Sequence, residues 1–297
     1  MSVWVREVRA QFLTITPVAV FLGVATAYYE YGLVKVFNTI LALVGCLLAH
    51  IAVNVLNDYF DYISGIDLKT VKTPFSGGSG ILPKGLLSPK SILALGILSI
   101  VGGLCIAIYF YMSYGLPLLI LVIIGVIDIV LYTPVFANIG LGEFSVFLGF
   151  GPLMVLGTHL IASGHLLSPS ALYTSMVYGI LVANILLLNE IPDVEADKSG
   201  GRRTIPIIFG VRNSIIVYAI LESVAYALIV YGVIVKALPL YTLIALVGVM
   251  LTYKATVKAL KGYNKLETLL PSLAINILKT HIVGVLMAIG VLLGAIF

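Results

Sequence analysis

The chain alternates long, unbroken apolar runs with short polar breaks. Windows of ~20 apolar residues, the length that crosses a bilayer as a helix, fall at 12–29, 36–57, 91–111, 115–133, 143–163, 171–191, 214–235, 238–258 and 272–296. The pattern predicts an all-α polytopic membrane protein with about nine transmembrane helices. A membrane barrel would show shorter segments of alternating polarity. Tight turns are predicted around Ser113-Tyr114-Gly115 and Lys236-Ala237, and two connections are long and polar, Asp58 to Lys90 and Glu190 to Arg212. The first run, Phe12 to Ala27, follows Arg6 and Arg9 and ends on Ala25-Thr26-Ala27, which loosely resembles a signal-peptidase site. It is long for a signal sequence and contains Pro17, so it reads as a retained first helix.

Composition agrees with this class. Of the 297 residues, 61% are hydrophobic and 10% charged, and the mean hydropathy is +1.14. A soluble domain carries about a quarter charged residues, so this chain cannot cover a water-facing surface. Disorder, a collagen-like fibre and a coiled coil are excluded on the same ground. The net charge of +4 is read as topology signal and phosphate ligands, with no nucleic-acid partner. Cys46 and Cys105 lie inside apolar runs and read as two small buried hydrophobes, without a disulfide framework or a zinc site.

Placing the N-terminus in the cytoplasm puts fourteen of the seventeen Lys and Arg residues on the inside, with only Lys35 and Lys236 outside and Lys279 within the last helix. That asymmetry fits the positive-inside rule for nine crossings. Both long polar connections then lie on the cytoplasmic side.

Those connections resemble each other. The first reads Asn57-Asp58-Tyr59-Phe60-Asp61, then Asp67 and lysines; the second reads Asn189-Glu190-Ile191-Pro192-Asp193, then Asp197, Lys198, Arg202 and Arg203. This suggests a pseudo-repeat of helical units within a single domain over 1–297, with motifs at 54–67 and 189–204 and a site between them. Asn54, Asn57, Asp58 and Asp61 are spaced i, i+3, i+4, i+7, one face of a helix. Asn189, Asp193 and Asp197 repeat the logic, and Pro192 is expected to kink the helix. A polar stripe at membrane depth is costly unless it faces partners or a cavity.

Five converging aspartates repel one another and call for a cation. All the donors are oxygens, which favours Mg²⁺ over zinc or copper. Magnesium prefers a few carboxylates plus substrate phosphate oxygens, and Lys69, Lys72, Lys198, Arg202 and Arg203 could complete a phosphate clamp. Acidic motifs, basic flanks and an apolar chamber imply a diphosphate with an apolar tail. The chemistry that fits is ionisation of an allylic C–O bond, with the cation held in a dry, aromatic-lined cavity until an acceptor captures it.

These stretches resemble the UbiA superfamily of intramembrane prenyltransferases. Asn57 to Asp61 with Asp67, and Asp193-Val194-Glu195-Ala196-Asp197, look like its two aspartate-rich motifs. Three more stretches are similar to the MenA branch, which prenylates 1,4-dihydroxy-2-naphthoate: Ser76-Gly77-Gly78-Ser79-Gly80 leading to Gly85-Leu86-Leu87-Ser88-Pro89, Gly140-Leu141-Gly142-Glu143-Phe144 leading to Phe150-Gly151-Pro152, and Asp197 to Thr204. The resemblance implies nine helices around a central cavity open laterally to lipid, with Mg²⁺ bridging both motifs and an isoprenyl diphosphate. It implies metal ligation by Asn57, Asp61, Asp193 and Asp197 with Asp67 helping, and diphosphate contacts from Arg9 and Tyr132. Asn54, Asp58, Asn189 and Glu143 are expected in acceptor-binding or secondary roles. The chain departs from the MenA pattern after Tyr132, at Thr133-Pro134-Val135-Phe136-Ala137, which leaves the acceptor open between the naphthoate of menaquinone biosynthesis, 4-hydroxybenzoate and geranylgeranylglyceryl phosphate.

Other residues have plainer readings. Ser76 to Gly80 lacks a Walker Lys-Ser/Thr ending and reads as a loop over the cavity. Asp128 is expected to bond a neighbouring helix, Glu143 to cap a helix start, and His159, His281 and Lys279 to pack or sit at the interface. Gly102-Gly103 suggests close helix packing, and Tyr28, Tyr29, Tyr31, Tyr109, Tyr111 and Tyr114 suggest interfacial belts on the outer side. The competing classes are a secondary transporter, which would hold its acids near the midplane, and a structural or lipid-scrambling protein, for which paired acid motifs have no use. The expected location is the cell membrane with the site facing the cytoplasm.

Overall fold

The computed structural model describes residues 2–297. Every regular element among them is helical. Among the described residues nine helices are long and apolar enough to cross a membrane: α1 Ala10–Tyr31, α2 Val36–Ile63, α3 Pro89–Tyr114, α4 Leu116–Ile139, α5 Gly142–Ser163, α6 Pro169–Ser199, α7 Val211–Ile234, α8 Leu240–Gly262 and α9 Leu266–Ile296. Each apolar run of the sequence becomes one of them. Large apolar side chains such as Leu98, Met112, Leu116 and Ile220 point outward, as a lipid-facing surface requires.

The helices differ in how deeply they sit. In its most apolar stretch α6 is 72% buried and α4 only 11%, so α6 is the central pillar and α4 an outer wall. Close approach to the pillar depends on two glycines. A Cβ on Gly151 would lie 2.4 Å from the Ser175 carbonyl oxygen, and one on Gly179 would lie 2.6 Å from the Phe147 carbonyl oxygen. Only glycine lets α5 and α6 touch backbone to backbone. Around Pro152, which cannot donate a backbone bond, α5 widens into a π-helical stretch over Gly149–Leu156. A second π-helical turn, Tyr132–Phe136, occupies α4 around Pro134.

One apolar core joins α1, α5, α6, α7, α8 and α9 through residues such as Leu22, Tyr178, Leu181, Ile229 and Met287. A smaller one at the far end of α2–α5 contains Ala42, Phe110, Leu118 and Ile161. Several helices exceed the length read from the sequence, and two of these extensions carry the motifs. α2 runs to Ile63 and α6 to Ser199, so both acidic motifs are extensions of membrane helices. α6 passes its motif through a tight 3₁₀ turn over Ile191–Asp193, the local break expected at Pro192.

Lys279 packs rather than sitting at the interface: it is fully buried and paired with Glu222, which also accepts from Asn184 at 2.9 Å and Thr252 at 3.0 Å. Two side expectations need correction. Cys105 is exposed on the outer surface, and only Cys46 is partly covered. Tyr114 is only partly a belt residue, since its hydroxyl donates to the Ile161 carbonyl at 2.7 Å. His159 and His281 do pack, bonding Thr26 and Thr14, each at 2.9 Å. Gly102 and Gly103 face α2, across from Leu48 and Gly45.

Candidate active site

The site forms where the ends of α2 and α6 meet beneath the connection that follows α2. A polar cavity of about 170 Å³ is lined there by Asn54, Asn57, Asp61 and Asp67 from the first motif and by Asn189, Glu190, Asp193 and Asp197 from the second. Arg9, Arg202, Tyr132 and Phe150 complete its wall. The two acid sets, more than a hundred residues apart in the chain, therefore share one chamber at one end of the bundle.

Helical spacing brings Asn57 and Asp61 together, and the Asn57 amide donates to Asp61 Oδ2 at 3.1 Å and to Thr133 Oγ1 at 3.3 Å. Arg202 crosses between the motifs, pairing with Asp61 and with Asp197 at 2.9 Å. Burial alone would lower its guanidinium, but the two carboxylates outweigh that and leave it raised. Arg9 donates to Asn57 Oδ1 at 3.1 Å and pairs with Asp58. Burial opposes its charge as well, and Asp58 reverses the effect so that it stays protonated.

The loop Ser76–Gly80 clasps both motifs. Its Gly77 N–H donates to Asp193 Oδ2 at 3.1 Å and its Ser79 N–H to Asp58 Oδ2 at 2.8 Å. Gly77, Gly78 and Gly80 have φ of +80°, +65° and +69°, a left-handed run that only glycine sustains without strain. Ser76, Gly77 and Gly78 line the cavity, so the loop covers it as expected. Glu7 anchors the same loop from the N-terminal turn, accepting the Ser79 hydroxyl at 2.8 Å. Burial, reinforced by the charge of Asp58, pushes its carboxyl up to about 7. The same two causes push Asp67 up to about 6.

Several expected contacts lie elsewhere. Asp58 does not face the cavity; it is the buried anchor of Arg9 and Ser79. Asn54 spends its amide on the Val8 carbonyl at 3.1 Å, tying down the N-terminal turn. Glu143 caps no residue of its own helix and accepts instead from the Ile205 N–H at 3.2 Å, outside the cavity lining. Of the six basic residues expected at the diphosphate, Arg9 and Arg202 reach the wall. Lys69, Lys72, Lys198 and Arg203 stand exposed on the rim. Lys69 bonds Ser199 at 3.3 Å and Lys72 bonds the Gly78 carbonyl at 3.0 Å.

Among the described residues no three His, Cys, Asp or Glu side chains are gathered tightly enough to hold a metal as they stand. The donor set nevertheless fits a hard cation. Asp67 Oδ2, Asp193 Oδ1, Asn189 Oδ1 and Glu190 Oε2 are buried without any hydrogen-bond partner, and all four residues line the cavity. Unpartnered buried oxygens are costly, and a divalent ion bound by oxygen donors would satisfy them. Arg202 supplies part of that positive charge between Asp61 and Asp197.

A second chamber continues inward. It is apolar, about 220 Å³, and runs between α2, α3, α4 and α5 down to Ala42, Phe110, Leu118 and Ile161. His50, Val53, Tyr132, Val146 and Phe150 line both chambers and form the neck between them. Asp128 lies on the apolar side, with Oδ1 accepting the Ser145 hydroxyl at 2.5 Å, the bond to a neighbouring helix expected of it. His50 and Glu190 are cavity residues that the sequence reading missed. Extending the stripe of Asn54 and Asn57 back by one turn, to i−4 and i−7, would have found His50.

Comparison with known proteins agrees with this architecture. Residues 17–278 match the UbiA prenyltransferase family. The chain is 31% identical to a 1,4-dihydroxy-2-naphthoate octaprenyltransferase of Bacillus subtilis over 259 residues, covering 86% of this chain and 80% of that one. Its fold is similar to that of a UbiA homolog from Archaeoglobus fulgidus solved with DMAPP and Mg²⁺ (TM-score 0.63, 17% identity, covering 97% and 100% of the two chains). It also resembles the structure described for digeranylgeranylglyceryl phosphate synthase (TM-score 0.63, 18% identity, 98% of each chain).

Nine membrane helices around a polar mouth and an apolar chamber define a multi-pass membrane prenyltransferase. The chain belongs to the UbiA prenyltransferase family.

Proposed function

We propose that this protein transfers a prenyl group from an isoprenyl diphosphate to an aromatic acceptor, 1,4-dihydroxy-2-naphthoate, as in menaquinone biosynthesis. The carrying observation is the junction of two chambers. One is lined by paired carboxylates with unpartnered oxygens, the other is apolar and long, and they share a neck. The name of the B. subtilis relative supports the acceptor, and the Archaeoglobus homolog solved with DMAPP and Mg²⁺ supports the donor and the metal.

Asp61, Asp67, Asp193 and Asp197, with Asn57 beside Asp61, would hold Mg²⁺, which when bound supplies positive charge against the departing diphosphate. Arg202 and Arg9 bring guanidinium groups to the same mouth, where charge develops as the allylic C–O bond breaks. The prenyl tail lies in the apolar chamber, whose mainly aliphatic and aromatic lining keeps water from the cation. Tyr132 and Phe150 bring aromatic rings to the neck, where the reacting carbon would lie, and ring faces attract positive charge. The lysines on the rim form a basic collar for the incoming diphosphate. The excess of Lys and Arg on the loops at this end of the bundle supports a site facing the cytoplasm in the cell membrane.

The test is product formation by the purified protein in lipid nanodiscs with Mg²⁺ and labelled geranylgeranyl diphosphate. The acceptors are 1,4-dihydroxy-2-naphthoate, 4-hydroxybenzoate and geranylgeranylglyceryl phosphate, scored by product mass. Prenylated naphthoate is expected. A lipid product alone would overturn the acceptor, and no product with any acceptor would overturn the reading as a whole.

A further inference from the structure

His50 is the one imidazole at the neck. It lies on α2 at i−4 from Asn54 and i−7 from Asn57, so it continues the polar stripe of the first motif one turn deeper into the membrane. Its ring is fixed on two sides: Nδ1 is 2.8 Å from Thr16 Oγ1 on α1, and Phe150 of α5 packs edge-on with ring centroids 4.7 Å apart. Nε2 has no protein partner and is not sealed from the cavities that the residue lines. A polar nitrogen held by a tether on its far side and open on its near side, at membrane depth, calls for a ligand group.

What passes the neck narrows that group. The prenyl tail offers no hydrogen bond, and the groups proposed to meet the diphosphate and its metal lie toward the polar mouth, Asn57 and Asp61 about two and three turns further along α2 and Arg202 beside them. The remaining reactant is the acceptor, whose ring must meet the reacting carbon where the polar and apolar chambers join. We propose that His50 is a catalytic residue that binds the hydroxyl of a phenolic or naphtholic acceptor through Nε2 and takes up its proton during transfer. The proposal rests on the prenyl-transfer reading of this same site.

The step balances with the groups present. With Nδ1–H donating to Thr16, Nε2 carries the lone pair. The acceptor's ring carbon bonds to the prenyl C1 as the C1–O bond breaks, and that electron pair leaves with the diphosphate. The hydroxyl proton moves to Nε2, its O–H pair becomes the carbonyl of a dienone, and the imidazole becomes cationic. Where the attacked carbon bears a carboxylate, loss of CO₂ returns an aryloxide, which takes the proton back from His50; where it bears hydrogen, that ring proton leaves to the departing diphosphate as the ring rearomatises, and the oxygen again takes the proton back from His50. The histidine then ends as it began. Of the other ionisable groups in the apolar chamber, Asp128 and Cys46 do not line the polar one, and Ser145 holds one Asp128 oxygen; Tyr132 lines both, but its phenol carries its own proton and is no base.

The experiment uses the full chain in nanodiscs with geranylgeranyl diphosphate and a series of naphthol acceptors of graded hydroxyl acidity. His50→Gln is expected to lower kcat by ~10²-fold or more with the least acidic acceptor, the usual range for a positioned base. The loss should shrink steadily as the acceptor hydroxyl becomes more acidic. Binding of the unreactive geranylgeranyl thiodiphosphate should stay within about 2-fold, since the base acts on the other substrate. Thr16→Val, which leaves the imidazole and removes its tether, should give a smaller loss with the same dependence. A loss in both variants that ignores acceptor acidity would assign His50 a packing role and overturn the proposal, as would the acidity dependence appearing in Asp128→Asn instead. Wild-type protein inactive with every acceptor would instead defeat the prenyl-transfer reading, so the two failures are distinguishable.

Discussion

Arg202 offers the sharpest test of the idea that the mouth is built around a missing positive charge. Its guanidinium spans Asp61 and Asp197 with side-chain exposures of 11%, 9% and 4%, so the trio is largely desolvated. Arg202→Met removes the side chain that pairs with a carboxylate of each motif and leaves Asp61 and Asp197 buried without that cation. Breaking a buried ion pair from one side costs ~3–5 kcal/mol, and the open mouth argues for the lower end. For a chain of this size each kcal/mol moves the melting midpoint by about 2–4 °C, so metal-free protein should melt roughly 6–12 °C lower. A divalent ion that binds only the folded state stabilises by about 2.7 kcal/mol at a concentration of 100 times its Kd. Added Mg²⁺ should therefore recover most of the loss in the variant. It should raise the wild type less, because there the ion competes with a resident guanidinium. The assay is thermal unfolding in nanodiscs, followed by tryptophan fluorescence, with EDTA and across a Mg²⁺ titration. Equal Mg²⁺ shifts in wild type and variant, or no loss in EDTA, would refute the reasoning.

Two further outcomes follow from the geometry. The Glu7 carboxyl is raised by burial and by Asp58 to about 7 from an ordinary 4.5, so the folded state holds this proton more tightly than the unfolded chain. Its contribution to stability is full below about pH 4.5 and is lost as pH rises through 7; the wild-type midpoint should fall relative to Glu7→Gln across that window, and parallel profiles would contradict the assignment. Inside the bundle, Lys279→Met or Glu222→Leu alone should each destabilise by ~3–5 kcal/mol, because each strands a buried partner. The Lys279→Met/Glu222→Leu double variant should recover much of that by replacing the pair with apolar packing, and a melting series in which the two losses simply add would count against the coupling.

The family resemblance and the bundle are legible in the sequence for a physical reason. A bilayer core is uniform, so any segment that crosses it must be apolar for ~20 residues, and all nine crossings are visible as such. The acid stripe on α2 is legible too, since Asn57 and Asp61 share a helix face by spacing alone. The Lys and Arg asymmetry, with four crossings between the two connections, also put the second motif at the same end.

What the sequence could not reveal depends on which group each side chain meets. Asp58 and Asp61 are three residues apart and chemically identical, yet one is an internal anchor for Arg9 and Ser79 and the other faces the cavity, because the N-terminal turn folds back over α2. Six cations flank the motifs, and only the folding of the N-terminal turn and of the loop after α6 brings Arg9 and Arg202 to the carboxylates. Lys279 read equally as a packing or an interfacial residue, and only α7, by placing Glu222 beside it, decided that it packs. His50 drew no attention within an apolar run, because a single polar residue acquires meaning only when the neck between two chambers forms around it. Hydrophobic period and helical spacing are local properties carried by each segment of the chain. The direction a polar group faces is decided by neighbours remote in sequence, and those neighbours exist only once the helices have packed.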